Sequence, residues 1–590
     1  MPTLTVDNVP VEVPEGTTII EAARQAGIRV PSLCYLRDVQ TIGACRVCLV
    51  EVEGAKALVA SCAAPVSEGM TVKTNTARVR RGRRTVVELL LSEHDGDCQV
   101  CVRSDDCELR SLGRELGINE LRYEGEKTQR VIDDSTPALV RDTGKCIMCR
   151  RCVTVCNEVQ GVGGLFPQGR GFETVIGPAF AAKLSDVVCV QCGQCAAVCP
   201  VGAITENSAI DAVWAALEDP GKHVIVQTAP AIRAALGEAF DYEPGTLVTG
   251  KMVSALRRLG FDGVFDTNFA ADLTILEEGT ELLVRLKKKL LEGEEAALPQ
   301  FTSCSPGWIN YMEHFNPDML DNLSTCKSPQ QMFGALAKTY YAQKIGVAPA
   351  DMVVVSVMPC TAKKFEAARL EMNDSGVQDV DVVLTTRELA QMIKQAGIDF
   401  RGLPDDKMDA PLGISTGAAD IFAVTGGVME AALRTAYEIV TGKDFPFDNL
   451  HVTPIVGLEG VKEAAVEIDE TVPEWDFLRG AVLRVAVAHG LGNAQKVIDR
   501  IRAGEAEYHF VEIMTCPGGC IGGGGQPRLT NNEIRAARIR AIYQEDEGRE
   551  LRKSHQNPEV RRLYEEFLGA PLGEVSHHLL HTHYTAKERV

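Results

Sequence analysis

The stretch FVEIMTCPGGCIGGGGQP, residues 510–527, organises the C-terminal half of this 590-residue chain. It overlaps an apolar run, Tyr508–Ile513, that is typical of a buried parallel strand, and it continues into a loop that contains Cys516 and Cys520. Four glycines follow, and glycine lets the backbone approach a bulky group closely without strain. Two thiolates at this spacing can ligate neighbouring atoms of one metal cluster, and the alternative is a glycine-rich turn with two free thiols.

Similar apolar runs alternate with helical stretches between residues 210 and 530. They are Val224–Gln227, Val353–Val357, Val380–Leu384 and Val482–Val487. This alternation indicates α/β layers with parallel sheets, in which functional loops lie at the carboxyl ends of strands. Two more cysteine loops, FTSCSPGW at 301–308 and VMPCTAKKFE at 357–366, lie just after such runs or after a helix.

The composition indicates a multidomain globular protein. A chain of 590 residues is too long for one core, and a formal net charge of −20 opposes non-specific binding to nucleic acid. We find no signal peptide and no long apolar run, so we predict a cytoplasmic protein without a membrane span. The basic run at 78–84 is either a solvated helix face or a docking patch for an acidic partner.

The chain has 20 cysteines, and fifteen of them lie before residue 200. In a cytoplasmic protein such clusters indicate metal sites rather than disulfides. The first group has one Cys-x2-Cys pair and two outlying cysteines, as plant-type [2Fe–2S] sites do, with zinc as the alternative. Its members are Cys34, Cys45, Cys48 and Cys62.

The first group lies in residues 1–75, which open with the predicted strands Thr3–Val6 and Val11–Val13. A helix follows, and Thr18 with Glu21 predicts a capping box at its start. This strand–helix opening resembles the β-grasp fold of [2Fe–2S] ferredoxins.

A second group combines one histidine with three cysteines in residues 76–138. Its members are His94, Cys98, Cys101 and Cys107. The set could bind zinc as a Cys3His site. The same order also resembles the His-ligated [4Fe–4S] site that follows the β-grasp domain in the iron–sulfur subunit of respiratory complex I.

Residues 139–209 contain the motif Cys-x2-Cys-x2-Cys-x3-Cys twice, with a proline after the second copy. This pattern is the signature of bacterial two-cluster ferredoxins, in which the fourth cysteine of each run ligates the other cluster. Cys156 should therefore serve the second cluster and Cys199 the first. The two runs are Cys146, Cys149, Cys152, Cys156 and Cys189, Cys192, Cys195, Cys199.

The three cysteine loops together resemble the active-site signature of the [FeFe]-hydrogenases, and the resemblance covers the whole chain. It implies a β-grasp [2Fe–2S] domain (1–75), a His-ligated [4Fe–4S] domain (76–138) and a two-cluster ferredoxin domain (139–209). A two-lobed α/β catalytic domain with parallel sheets (210–530) follows, completed by a C-terminal helical extension (531–590). The implied cofactor is the H-cluster, a cuboidal [4Fe–4S] cluster joined through a cysteine to a two-iron unit with CO, cyanide and a dithiolate amine.

The resemblance assigns roles to residues of these loops. Cys360, Cys516 and Cys520 would ligate the cuboid, with Cys520 as the bridge, and Lys363 would hydrogen-bond a cyanide. Met358 and Met514 would pack around the two-iron unit, with ordinary core residues as the alternative. Further cofactor contacts are expected from Pro230, Gly523, Gln526 and Pro527.

The first loop departs from the family pattern, which has two adjacent cysteines, a proton relay and then a cuboid ligand. Here Cys304 stands in the relay position and Ser305 in the ligand position. Because serine oxygen is a poor ligand for iron–sulfur iron, we favour Cys304 as the ligand, with Ser305 or water as the relay. The alternative keeps Cys304 as the relay.

A proton route is implied by Glu278 and Glu281, one helical turn apart, together with Ser324 and Arg285. The alternative for the carboxylates is a solvated acidic helix face. The remaining Cys326 is expected to be a small buried core residue. The tail with His577, His578, His581 and His583 invites a metal interpretation, but we expect no cysteine or acidic partner to accompany it, which favours a solvated or packed C-terminal extension.

The predicted function is reversible reduction of protons to H2, with electrons passing through one [2Fe–2S] and three [4Fe–4S] accessory clusters. The N-terminal half suggests docking onto a flavin- or NAD(P)-binding subunit, as in multimeric NAD(P)-linked or electron-bifurcating hydrogenases. Ferredoxin is the alternative electron partner. Separate maturation proteins would build the two-iron unit. The competing hypothesis is a hydrogenase-like iron–sulfur protein without H2 chemistry, such as an assembly factor or a sensor.

Overall fold

The N-terminal region folds as a five-stranded sheet with one helix against it. The computed structural model describes residues 1–447 and 450–589. The strands, in spatial order, are Val9–Glu12, Thr3–Val6, Thr71–Lys73, Leu49–Val52 and Val59–Ala60. The helix, Ile19–Gln25, buries its apolar face against this sheet.

The predicted capping box at this helix is wrong. Thr18 is the N-cap residue, but its side chain makes no capping hydrogen bond. The Glu21 carboxylate instead accepts hydrogen bonds from Tyr35 at 2.8 Å and from Arg24 at 2.9 Å. These partners satisfy the carboxylate better than a return to the helix start would.

Residues 76–209 contain the helices Ala77–Glu93, Glu108–Glu115, Arg151–Thr154 and Gln194–Val198. A three-stranded antiparallel sheet joins this stretch, with the strand order Ile204–Glu206, Leu139–Asp142, Ile132–Asp133. A separate hairpin pairs Phe166–Gln168 with Val175–Gly177. The predicted boundary at 138/139 therefore lies within a hairpin between two strands that pair with each other.

Two four-stranded sheets form the two lobes of residues 210–530. The first is fully parallel, in the order Gly263–Asp266, His223–Thr228, Met352–Met358, Val382–Thr385. The second has three parallel strands and one antiparallel edge strand, in the order Gln300–Phe301, Phe510–Met514, Ala481–His489, Val461–Ile468. All five apolar runs selected from the sequence overlap strands, which confirms the mixed α/β class with parallel sheets.

Helices surround both sheets and fill the space between the lobes. The 20-residue helix Asn268–Lys287 is buried along most of its length and packs on core residues of both lobes. The other helices are Ile210–Glu218, Thr249–Leu259, Pro306–Phe315, Pro329–Leu336, Ala342–Ile345, Ala362–Ala367, Thr386–Gln395, Gly417–Asp420, Gly427–Thr441, Leu491–Arg502, Asn532–Glu547, Pro558–Leu563 and Glu574–Leu580.

The C-terminal extension belongs to the cores of both lobes. Ile539 and Ile542 pack in the core of the second lobe, whereas Leu563 and Leu580 pack in the core of the first. The extension therefore ties the lobes together across the long buried helix. Across the described ranges, no helix is long and apolar enough to cross a membrane.

Candidate active site

The three cysteine loops meet at one cavity between the lobes. Cys360 follows the strand Met352–Met358, and Cys516 follows the strand Phe510–Met514. The strand Gln300–Phe301, which precedes Cys304, lies beside Phe510–Met514 in the second sheet, so the loops of Cys304 and Cys516 leave the same sheet edge. The loop of Cys360 leaves the carboxyl edge of the first sheet and meets them across the space between the lobes. Residues from all three loops line this active-site cavity, including Cys304, Ser305, Cys360, Cys516, Cys520 and Lys363.

The glycines of the central stretch allow close packing of backbone. A Cβ atom at Gly523 would lie 2.2 Å from the Pro359 carbonyl oxygen. A Cβ atom at Gly524 would lie 2.1 Å from the Cys192 carbonyl oxygen. Only glycine fits where the third loop touches both the second loop and the ferredoxin-like region. Close approach to a cofactor is thus not the sole use of these glycines.

The thiols of the cavity form a donor set that fits an iron–sulfur cluster. Burial, and next the charge of Cys360, raise the pKa of Cys520 to about 12. Burial likewise raises the pKa of Cys516 well above its ordinary range. Crowded, dry thiols hold their protons strongly unless a metal replaces them. A cuboidal cluster held by Cys360, Cys516 and Cys520 is compatible with this chemistry.

Other predicted contacts divide into two groups. Met358, Met514, Pro230 and Gly523 line the cavity, the two methionines as buried apolar walls. Gln526 and Pro527 are not among the described residues that line it. Fully buried Gln526 instead connects loops, because its amide donates to the Ala231 carbonyl at 3.2 Å and accepts from Thr386 at 2.8 Å.

Cys304 and Ser305 face different neighbours. The Ser305 hydroxyl lies 2.8 Å from Thr515 Oγ1, in the stretch that leads to Cys516. It also accepts a hydrogen bond from the Thr515 backbone N–H at 3.3 Å. Burial, and next the charge of Glu278, raise the pKa of Cys304 well above its ordinary range. The thiol therefore lies toward the carboxylate side of the cavity, and the hydroxyl lies toward the ligand loop.

Lys363 closes the cavity beside Cys304. Its ammonium group donates to Glu366 at 2.9 Å and to the Cys304 carbonyl at 3.1 Å. The residue is 8% exposed, so its charge acts in a dry environment. This position suits an anionic ligand in the cavity.

The carboxylates behind Cys304 form a buried chain. Arg285 pairs with Glu281 at 2.7 Å, and the Ser324 hydroxyl donates to the other oxygen of Glu281 at 2.7 Å. Burial, together with Glu281, raises the pKa of Glu278 to about 8. Glu278 Oε1 has no hydrogen-bond partner among residues 1–447 and 450–589. The alternative of a solvated acidic helix face is wrong, because Glu278 is 2% exposed and Glu281 8%.

The ferredoxin-like cysteines surround two separate cavities. One cavity is lined by Cys189, Cys192 and Cys195 together with Cys156. The other is lined by Cys146, Cys149 and Cys152 together with Cys199. Each run therefore places its fourth cysteine with the three cysteines of the other run, an arrangement that suits two [4Fe–4S] clusters.

The two N-terminal groups of candidate metal ligands, in residues 1–75 and 76–138, also have side chains that suit metal binding. Contacts with Cys45 and Cys62 lower the pKa of Cys34, so these sulfur atoms lie together. Cys62 also contacts Cys48. In the second group, His94 Nδ1 is buried and has no hydrogen-bond partner in the described part of the chain. An unpaired buried imidazole nitrogen suits a metal ligand.

Cys98, Cys101 and Cys107 follow His94 without regular structure between them. Cys107 is buried at the start of the helix Glu108–Glu115, and the other two are half-buried. Burial raises the pKa of Cys107 above its ordinary range, and nearby Cys101 adds to the rise, so these two side chains lie near each other.

The ferredoxin-like region contacts the active-site loops through residues that the sequence analysis did not select. Gln194, between Cys192 and Cys195, donates to the Gly522 carbonyl at 2.9 Å. Thr361, next to Cys360, donates to the Gln191 carbonyl at 2.7 Å. A glutamine inside a Cys-x2-Cys spacer carries no signal of this contact in the sequence.

The C-terminal histidines are not alike. His577, His578 and His583 are exposed, whereas His581 is buried. The interpretation that no acidic or cysteine partner accompanies this tail is wrong in three dimensions, because His581 contacts Glu277 at 3.2 Å and lies 4.0 Å from Cys326. These partners are about 250 to 300 residues away in sequence, so local spacing could not reveal them. Cys326 is fully buried, as expected.

The molecule has a cysteine-lined cavity between two α/β lobes, and the N-terminal part of the chain contributes several sets of iron–sulfur ligands. Together these features define an iron–sulfur oxidoreductase of the hydrogenase class. The family described as "Iron only hydrogenase large subunit, C-terminal domain" matches residues 222–524, and "Iron hydrogenase small subunit" matches residues 532–587. The chain therefore belongs to the iron-only, or [FeFe], hydrogenase family.

The N-terminal half matches three iron–sulfur families. They are "2Fe-2S iron-sulfur cluster binding domain" at 1–77, "NADH-ubiquinone oxidoreductase-G iron-sulfur binding region" at 83–122 and "4Fe-4S dicluster domain" at 145–203.

Two relatives match along almost the full chain. The NADP-reducing hydrogenase subunit HndD of Solidesulfovibrio fructosivorans is 54% identical and covers 100% of both chains. Iron hydrogenase 1 of Clostridium pasteurianum is 39% identical over 99% of this chain and 100% of its own. A solved structure of [FeFe]-hydrogenase HydA1 from Chlamydomonas reinhardtii has 46% identity and a TM-score of 0.58, covering 64% of this chain and 99% of that one.

Proposed function

We propose that this chain is the catalytic subunit of an [FeFe]-hydrogenase that interconverts H2 with protons and electrons. The observation that carries the proposal is the active-site cavity, where three cysteine loops and Lys363 meet. The ferredoxin-like cysteine loop is hydrogen-bonded to one wall of this cavity, where Gln194 donates to the Gly522 carbonyl. The buried carboxylates of Glu278 and Glu281 lie on another side, behind Cys304. An enzyme of this kind needs both an electron route and a proton route at one centre.

Cys360, Cys516 and Cys520 would hold the cuboidal part of the H-cluster, and Lys363 and the two methionines would enclose its two-iron part. When bound, the H-cluster supplies the iron centre at which H2 is formed or cleaved. The chain contributes a dry pocket, fixed thiolate ligands and a lysine charge that favours anionic ligands. Pro230 and Gly523 shape the wall around these groups.

Cys304 is the proton relay in this proposal, and Ser305 occupies the ligand corner. Two observations favour this assignment over Cys304 as the cuboid ligand. After burial, nearby Glu278 contributes most to the raised pKa of Cys304, and the Ser305 hydroxyl lies 2.8 Å from Thr515 Oγ1, on the side that leads to Cys516. The fourth corner of the cuboid then has an oxygen donor or none, which weakens iron binding there.

Protons would pass between solvent and the cavity through Glu281, Ser324, Glu278 and Cys304. Arg285 holds Glu281 at the outer end, and Ser324 donates to the same carboxylate. With its pKa at about 8, Glu278 holds a proton at neutral pH and can exchange it readily. Glu278, Glu281 and Ser324 are buried, and Cys304 is half-buried at the cavity.

Electrons would pass through four accessory clusters, one [2Fe–2S] and three [4Fe–4S], the first of which would be His-ligated through His94. The full-length similarity to a subunit of an NADP-reducing hydrogenase supports flavin- or NAD(P)-binding partner subunits, with ferredoxin as the alternative acceptor. A partner that uses the NAD(P) pool implies a cytoplasmic location.

Infrared spectroscopy of the matured, anaerobic protein tests the function. We expect bands of metal-bound CO and cyanide, together with H2 evolution from a reduced dye. Cluster-loaded protein that shows neither would contradict the hydrogenase assignment and favour an iron–sulfur protein without H2 chemistry. Iron content and the spectra of the accessory clusters control for incomplete loading.

A further inference from the structure

Three side chains with metal-binding atoms lie together next to the proposed proton route. Glu281, Cys326 and His581 each place one ligand atom within 4.8 Å of the other two, and all three residues are buried. We call them the Glu281–Cys326–His581 cluster. Glu281 belongs to the proposed proton route, whereas Cys326 and His581 have no role in it.

The histidine of this cluster is already oriented for metal binding. His581 Nε2 lies 3.2 Å from Glu277 Oε2, and its Nδ1 lies on the side of Thr325 and Cys326. The Glu277 carboxylate accepts hydrogen bonds, so His581 donates from Nε2 and Nδ1 carries the lone pair. This lone pair accepts a hydrogen bond from the Thr325 hydroxyl at 2.8 Å, which a metal ion would displace. A histidine that donates its second nitrogen to a carboxylate is the usual arrangement behind a zinc ligand.

The carboxylate behind His581 is itself held in place. Glu277 also accepts hydrogen bonds from the hydroxyls of Tyr564 and Ser576 and from the backbone N–H of Leu572. These three partners come from the C-terminal extension. Its folding therefore sets both the position and the tautomer of His581.

The cluster also has a competitor for its carboxylate. Arg285 pairs with Glu281 at 2.7 Å and is the outermost charged group of the route. An incoming cation has to displace this guanidinium and draw the three ligand atoms inward. Zinc bonds of about 2.3 Å to sulfur and about 2.0 Å to nitrogen require a contraction of about 1 Å.

We propose that the Glu281–Cys326–His581 cluster is an inhibitory site for a zinc-type divalent cation. Thiolate, imidazole and carboxylate are the donors that zinc prefers, whereas magnesium requires an oxygen set. Bound zinc would hold the Glu281 carboxylate and stop it from exchanging protons. The inhibitory effect rests on the proposed proton route, but the binding of zinc does not.

Zinc chloride added to the matured, full-length enzyme under anaerobic conditions tests the proposal. The first readout is zinc K-edge X-ray absorption, which should show one sulfur together with nitrogen and oxygen neighbours. The second is dye-linked H2 evolution with and without zinc, expressed as a ratio for each variant. We expect at least a ten-fold loss of activity at saturating zinc in the unchanged protein, and no loss with magnesium.

Three variants and one control locate the site. Cys326→Ser and His581→Gln each remove one zinc ligand. Both should raise the zinc concentration needed for half inhibition, by at least as large a factor as the third variant, Glu277→Gln. Glu277→Gln removes only the orienting carboxylate, for which the expected increase is about 10- to 100-fold. His578→Gln changes an exposed histidine of the helix Glu574–Leu580, which ends just before His581, and should leave the inhibition unchanged.

Several outcomes would overturn the site: a zinc shell without sulfur, equal inhibition in all variants, relief of inhibition by His578→Gln, or loss of cluster iron together with activity. A shell of four sulfurs would mean that zinc had entered a cluster site instead. A one-sulfur shell without inhibition would support the metal site and overturn the proton route through Glu281.

Discussion

On one side of the active-site cavity, two hydrogen bonds join the ferredoxin-like region to the cysteine loops. Gln194 donates to the Gly522 carbonyl in the loop of Cys516 and Cys520, and Thr361, next to Cys360, donates to the Gln191 carbonyl. On the other side, Glu278, Glu281 and Ser324 stand one behind another, with Arg285 at the outer end. We call these the electron-facing wall and the proton-facing wall. The first is neutral and closely packed, and the second contains buried ionisable groups.

The difference reflects what each particle needs. An electron passes between clusters through packed atoms, so the electron-facing wall has only to hold two cluster sites close together. A proton moves by exchange between groups that can bind and release it, so each member of the proton-facing wall must be the right chemical type. Substitutions on the two walls should therefore differ in effect even where they conserve shape.

The largest effect is expected from Glu278→Gln on the proton-facing wall. The amide keeps the shape but cannot exchange a proton, so the rate of H2 evolution should fall by about 10² to 10⁴. Dye-linked assays measure the rate, and infrared bands of CO and cyanide should remain as in the unchanged protein. A variant with full activity and intact bands would remove Glu278 from the route.

Cys304→Ser should reduce the rate by about 10²-fold, because a serine hydroxyl exchanges its proton far less readily than a thiol in the same surroundings. If Cys304 is the relay, the cuboid content measured by electron paramagnetic resonance should not change. Loss of the cuboid signal would instead make Cys304 its ligand.

Ser305→Cys should add a thiolate to the ligand corner. We expect an altered cuboid spectrum and stronger retention of iron, with activity at least equal to that of the unchanged protein. If activity and cuboid content both stay the same, position 305 is neither ligand nor relay.

The pH dependence should report the raised pKa of Glu278, about 8. Below this pH the carboxyl group holds its proton and can donate it, so the rate of H2 evolution should be flat. Above it the rate should fall about ten-fold per pH unit, whereas H2 oxidation, which needs the carboxylate as acceptor, should rise up to the same pH. A change in the pH dependence of the rate near the ordinary glutamate pKa of about 4.3, instead of near 8, would contradict this assignment.

The smallest effect is expected from Gln194→Met on the electron-facing wall. The change keeps the volume but leaves the buried Gly522 carbonyl without its donor, at a cost of about 1–3 kcal/mol of stability. Turnover with a dye should fall only a few-fold, and denaturant unfolding of the cluster-loaded protein measures the stability change. A loss as large as that of Glu278→Gln would erase the contrast between the two walls.

The sequence alone predicted the features that depend on local spacing. The cysteine motifs, the strand–helix alternation and the position of three cysteine loops after strands or helices are all short-range patterns. Carboxyl ends of parallel strands share an edge, which brings together the loops of Cys304 and Cys516 from one sheet. Their meeting with the Cys360 loop of the other sheet depends on the packing of the two lobes. Resemblance to a family added the roles of Glu278, Glu281 and Lys363, which composition could not distinguish from a solvated surface.

Other features depended on contacts between residues far apart in the chain. Gln194 meets Gly522 across 328 residues, and His581 meets Glu277 across 304. No periodicity carries such pairs, because each partner is an ordinary polar residue in its own stretch. The packing of the lobes brings each pair together. The first pair then links two cluster sites, and the second orients a histidine side chain. The sequence by itself determined which groups could bind metal, and the tertiary structure decided which of them meet.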